Sequence, residues 1–167
     1  MEQICQNELE QKTNERKDRY NHMEVIFDAL SENESFARMA VASFIMSANP
    51  TMEELADVKT AVSEAVTNGI IHGYRMNHKK EEMEIHPKIV LRGNLKGKEL
   101  KVEVEDFGVG MKDIKLAMQP LYTSRPELER SGMGFAFMMC FMDEVVVESQ
   151  PEVGTKVIMT KVFGKGE

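Results

Sequence analysis

Two side chains stand out for their chemistry: Glu64 and Asn68, four residues apart in the run Ser63-Glu64-Ala65-Val66-Thr67-Asn68. A helix turns about 100° per residue, so a carboxylate and a carboxamide at this spacing project from neighbouring turns of one face. Such a pair can hold one ion or one reactive oxygen. Farther along, Asp106-Phe107-Gly108-Val109-Gly110 and Gly132-Met133-Gly134 offer a second kind of chemistry. Their glycines remove side chains where a ligand must approach backbone N–H groups, and Gly132-Met133-Gly134 leads into an apolar helical pattern whose N-terminus favours an anion. Taken singly, each piece also describes a solvated helix face or an ordinary turn. Together they read as a Mg-ATP site.

The elements that must position these residues follow from the flanking pattern. Residues 23–30, with Val25, Ile26 and Phe27, read as a first strand. Ser31 precedes Glu34 by three, a capping-box pattern that opens a helix through Phe36, Met39, Ala40, Phe44 and Ile45, ended by Pro50. Thr51 and Glu54 repeat the box for a second helix that runs to about His72, with Gly73 as its stop. Its core stripe is Leu55, Val58, Val62, Val66 and Ile70. On a helical wheel Glu64 lies opposite that stripe and Asn68 about 40° further round, so both face away from the core.

Leu100, Val102 and Val104 alternate with Lys101, Glu103 and Glu105, which predicts a strand ending at Asp106 and paired, around a Gly97 turn, with a strand at 89–92. At a strand's end a side chain can point into a pocket. Residues 76–86 read as a solvated loop. Residues 111–131 read as a lid with one amphipathic piece at 114–118, because two prolines and a mixed polar run interrupt any long helix there. An apolar helix at 132–142 and a hairpin of 144–149 with 155–162 complete the pattern. Met133, Met138, Met139 and Met142, at helical spacing, read as core filling.

Composition narrows the function classes. A chain of 167 residues with 42% hydrophobic and 29% charged residues fits one globular domain, here residues 23–167, preceded by a polar extension at 1–22 that reads as mobile or weakly helical. Cys5 and Cys140 have no metal-ligand spacing and read as reduced thiols. A net charge of −7 argues against direct nucleic-acid binding. With no apolar run of about 18 residues and a polar N-terminus, a cytoplasmic location is expected.

In this order, helix, strand with Asp-x-Gly-x-Gly, then Gly-x-Gly and helix, the residues resemble the N box and two glycine boxes of the GHKL ATPase and kinase superfamily, which includes gyrase, histidine kinases and MutL. The phrases at 33–38 (NESFAR), 62–72 (VSEAVTNGIIH) and 126–135 (PELERSGMGF) resemble more closely the anti-sigma F factors of spore-forming bacteria, a family of serine kinases. The likeness runs from about residue 23 to about residue 161. It implies an α+β fold: a two-layer sandwich of the GHKL (Bergerat) type, with a mixed, mostly antiparallel sheet covered on one face by helices, and an ATP lid.

The same resemblance implies roles. Asn68 is the Mg²⁺ ligand and Glu64 the general base for a substrate serine. Asp106 accepts a hydrogen bond from the adenine amine. Gly108 and Gly110 let the nucleotide pass close to backbone, and Ser131, Gly132, Met133 and Gly134 surround the phosphates. Arg130 contacts or stabilises the γ-phosphate, Thr155 lies near the adenine, and Arg38 docks protein partners. Those partners are a sigma factor of the sigma F type and an anti-anti-sigma factor phosphorylated on serine, with a homodimer as the assembly. Alternatives are a GHKL ATPase clamp in which Glu64 activates water, a nucleotide-dependent binding module without kinase activity, and a histidine-kinase catalytic domain. The last would need a helical hairpin bearing the phosphoacceptor, for which the residues before the first strand are too few.

Overall fold

In a computed structural model, which describes residues 20–74, 86–119 and 132–165, the alternation around Gly97 forms the middle of a five-stranded sheet. Strands β2 (Lys88–Lys96) and β3 (Glu99–Asp106) pair with Leu91 opposite Val104 and Leu95 opposite Leu100. β1 (Tyr20–Asp28) lies outside β2, while β5 (Gly154–Val162) lies beside β3 and β4 (Glu144–Gln150) forms the other edge, giving the order β1-β2-β3-β5-β4. The sheet, expected to be mixed and mostly antiparallel, is antiparallel at every pairing among the described residues. β1 begins three residues earlier than its apolar run indicates. Tyr20 to His22 pair with Lys96 to Asn94 although their side chains are exposed.

Helices α1 (Asn33–Ile45) and α2 (Met52–Asn68) pack against each other over the sheet, and α4 (Gly134–Phe141) packs on α2. A four-residue helix, α3 (Ile114–Ala117), stands between β3 and α4 and is capped by the Asp113 carboxylate at the Leu116 N–H, 2.9 Å. The α2 stripe expected at Val58, Val62, Val66 and Ile70 is buried, with Leu55 packed at its margin. It meets Ala37, Val41 and Ile45 of α1 and Leu91, Val102 and Met159 of the sheet, each of the larger side chains stabilising the fold by roughly 1.5–3 kcal/mol on burial. Small Ala37 faces inward, whereas Phe36 and Met39 are exposed.

The two expected capping boxes have different fates. At Thr51 and Glu54 both reciprocal bonds form, at 3.1 and 2.8 Å. At the first helix the N-cap is not Ser31. Glu32 occupies the N-cap without a side-chain bond, and the Glu34 carboxylate turns instead to Arg38 Nε at 3.1 Å and to the Ser63 hydroxyl on α2. α1 gives way to a 3₁₀ turn at Met46–Ala48, and Asn49, with φ 55°, reverses the chain before Pro50. Asparagine is among the few residues that adopt this left-handed conformation readily.

The last helix departs from expectation too. It begins at Gly134 rather than 132; Met138 and Met142 are buried, but Met139 is exposed, so core filling holds for only part of that methionine set. Cys140 is an exposed free thiol. Lys161, 9% exposed, reaches from β5 to the Asp57 carboxylate at 2.9 Å and the Phe141 carbonyl at 2.6 Å, tying β5 and α2 to the C-terminal end of α4, where a helix favours a cation. The open face of the sheet carries ion pairs: Arg92 bridges Glu24 on β1, at 2.5 Å, and Glu105 on β3. Among the described residues no helix is long and apolar enough to cross a membrane. The expected extension falls largely, and the 76–86 loop and the distal lid almost wholly, outside the described residues.

Candidate nucleotide site

Folding brings the separated motifs to one cavity of about 340 Å³ between α2, the end of β3 and the start of α4. Asn68, Asp106, Gly110, Gly132, Gly134 and Thr155 all line it. Glu64 and Asn68 do face away from the buried stripe of α2, yet they are not on open solvent: both are half-buried beneath the first residue of α4. A Cβ placed on Gly134 would sit 3.0 Å from Glu64 Oε2 and 3.4 Å from both Oδ1 and Nδ2 of Asn68. The glycine therefore leaves a small space directly over the carboxylate and the amide oxygen. One hard oxygen from an amide beside one carboxylate suits Mg²⁺, which usually takes only one or two protein ligands and fills its shell with water and phosphate oxygens.

At the other end, Asp106 closes β3 and is 6% exposed. Burial pushes its carboxyl pKa up to about 6, against the opposing pull of the Gly108 and Thr155 backbone N–H groups. The Gly108 bond is 3.0 Å long. The turn after Asp106 is pinned to the end of α2, where the helix changes into a π-turn at Gly69–Gly73. Val109 N–H donates to the Gly73 carbonyl at 2.9 Å, and a Cβ on Gly73 would lie 2.6 Å from Asp106 Cγ. Only a residue without a side chain permits this approach. Gly108 serves the same contact, since its own Cβ would lie 2.1 Å from the Gly73 oxygen; it abuts the chain itself and does not line the cavity. Thr155 shares a 2.8 Å hydrogen bond between its hydroxyl and that of Ser149.

Met133 sits at the N-cap of α4 without lining the cavity, and Arg38 lies on α1, away from it, half-exposed in its ion pair with Glu34. Arg130 and Ser131 lie outside the described residues. Several lining residues escaped the sequence reading. His72 follows Asn68 by four and continues its face, a signal the same helical wheel contained. Lys112 and Asp113, after the first glycine box, carried no pattern that could single them out.

A profile described as a histidine kinase-like ATPase domain matches residues 27–161. Curated proteins from Clostridium kluyveri and Bacillus subtilis, each named anti-sigma F factor, are 54% identical over 143 residues and 48% identical over 147. The chain belongs to the anti-sigma F factor family. The alignments cover 86% of this chain and 95% of the Clostridium protein, and 88% and 96% for the Bacillus pair. An Oceanobacillus iheyensis anti-sigma F factor is 53% identical over 147 residues. At the level of fold, a Mycobacterium tuberculosis structure of RsbU and RsbW domains superposes with TM-score 0.58 at 18% identity, covering 86% of this chain and 32% of that one. The anti-sigma F factor fold is thus a GHKL-type α+β domain, and its ATPase family implies nucleotide binding.

Proposed function

We propose that the protein is an anti-sigma factor and ATP-dependent protein-serine kinase of the bacterial cytoplasm, which holds a sporulation sigma factor of the sigma F type and phosphorylates that factor's anti-anti-sigma antagonist on serine. The observation that carries this reading is that Asn68 and Asp106 line one cavity, with Glu64, which does not line it, beside Asn68 under Gly134. Asp106 accepts the exocyclic amine of adenine, a donor that guanine replaces by a carbonyl at that position. Asn68 would hold Mg²⁺ through its amide oxygen. When bound, that ion neutralises charge on the phosphate oxygens. Glu64 takes the proton of the substrate serine as its oxygen bonds to the γ-phosphorus; the bond from that phosphorus to the bridging oxygen breaks, and ADP leaves. Gly132 and Gly134 keep side chains away from the phosphates, and Arg130 is assigned to the transferring group. Arg38, presented from α1, is the docking residue for protein partners, and the working assembly is a homodimer.

The test is incubation of the purified chain with γ-labelled ATP, Mg²⁺ and a candidate anti-anti-sigma protein. Label on a partner serine is the expected result. Released phosphate without labelled partner would replace the kinase by an ATPase clamp, and nucleotide binding without either product would leave a binding module.

A further inference from the structure

Three consecutive N–H groups in the turn after Asp106 are each held by a different acceptor. Phe107 N–H donates to the Tyr74 hydroxyl at 2.7 Å, Gly108 N–H to Asp106 Oδ1 at 3.0 Å, and Val109 N–H to the Gly73 carbonyl at 2.9 Å. Two of these acceptors come from the end of the helix that carries Asn68. There the π-turn closes with Tyr74 N–H donating to the Gly69 carbonyl at 3.0 Å. A π-turn holds one residue more than an α-turn and recurs at functional sites. Here it delivers the Gly73 carbonyl and the Tyr74 hydroxyl to the same short stretch of backbone.

The Tyr74 hydroxyl also donates to the Lys88 carbonyl at 2.5 Å, at the start of β2. Its single proton is committed there, so a lone pair faces Phe107. Burial, with the nearby Asp106 and Glu105 carboxylates adding to it, raises the phenol pKa above its usual 10.0, although the Phe107 N–H opposes this; the hydroxyl stays protonated. The Phe107 ring is 56% exposed and gives the turn little anchorage of its own. The turn is held by its backbone, and one of its holders is a phenol.

We propose that Tyr74 is a positioning residue for base recognition: its hydroxyl clamps the Phe107 N–H to the start of β2, fixes the direction in which the Asp106 carboxylate is presented, and thereby sets discrimination between adenine and guanine nucleotides. This rests on the reading in which Asp106 accepts the adenine amine. Oδ1 of that carboxylate already accepts from Gly108, and Gly73 packs against it. The Thr155 N–H holds the same carboxylate, and a rotation that keeps the Gly108 bond moves the 107–109 turn, a motion that Tyr74 resists.

Tyr74→Phe keeps the ring and removes only the hydroxyl. The full chain and this variant are titrated calorimetrically with Mg·ATP and with Mg·GTP, and amide exchange across 107–109 is followed in both. The ratio of ATP to GTP affinity is expected to fall about three- to tenfold, the scale set by one part-buried hydrogen bond, together with faster exchange at Phe107 and Gly108. A lower melting temperature with an unchanged ratio overturns the proposal, since that is what a purely structural role would give. A parent chain that binds both nucleotides alike overturns the Asp106 reading and this one together; a parent that prefers ATP and a variant that prefers it equally overturn the Tyr74 role alone.

Discussion

At one end the cavity rests on the Asp106 carboxylate, 6% exposed and gripped by backbone, whereas at the other Asn68, with Glu64 beside it, is a half-buried side chain laid against a glycine. The first arrangement is set before any ligand arrives. At the second, the glycine faces the ends of side chains and not backbone. The contrast suits the tasks proposed for the two ends: a base is a rigid plane recognised by direction, while a transferring phosphoryl group and an incoming hydroxyl change position during reaction.

The largest effect is expected at Glu64. Glu64→Gln should reduce serine phosphorylation about 10²- to 10⁴-fold, the usual contribution of a general base, while Mg·ATP still binds in a titration; an unaltered rate would remove Glu64 from the chemistry. Next comes a pair of methyl insertions that compares the ends directly. Gly73→Ala places a Cβ 2.6 Å from Asp106 Cγ in a spot that cannot yield, and should cost roughly 1–3 kcal/mol in denaturant unfolding along with ATP affinity.

A smaller change with two opposite signs is expected at Asp106. Its pKa of about 6 in the fold exceeds the ordinary 3.8, so the stability its proton contributes is full below about pH 3.8 and lost as pH rises toward 6. At neutral pH the ionised group therefore costs the fold up to about 3 kcal/mol. Asp106→Asn should raise the melting temperature of the nucleotide-free chain at pH 7 while weakening ATP binding, and ATP affinity of the parent should decline as pH falls below about 6. A variant that is both less stable and unchanged in affinity would dismiss the idea of a strained recognition group. The smallest effect belongs to Gly134→Ala, whose Cβ meets the side-chain ends of Glu64 and Asn68 at 3.0 and 3.4 Å and no backbone: stability should stay within about 1 kcal/mol, read by the same unfolding curves. Equal penalties for the two glycine variants would erase the contrast between the ends.

Local rules made much of this legible in the sequence. The Thr51 capping box, the α2 stripe and the alternation of β3 all depend on near neighbours, and all formed where their patterns lay. At the first helix the N-cap moved to Glu32, and Glu34 found partners outside its own turn, Ser63 among them, twenty-nine residues away. The π-turn was invisible because Ile70 and Ile71 continue an apolar pattern that fits an α-helix equally well. Gly73 looked like a helix stop. Its real constraint, the Asp106 carboxylate against its Cα, belongs to a strand that sequence spacing cannot place in contact with it.

The anchorage of the last helix has a mechanical consequence. With the ammonium of Lys161 fastened to the Phe141 carbonyl, the helix behaves as a short lever pinned at its far tip. Gly134, at the near tip, lies over Glu64 and Asn68, so a displacement of that tip changes first the space above the carboxylate and the carboxamide.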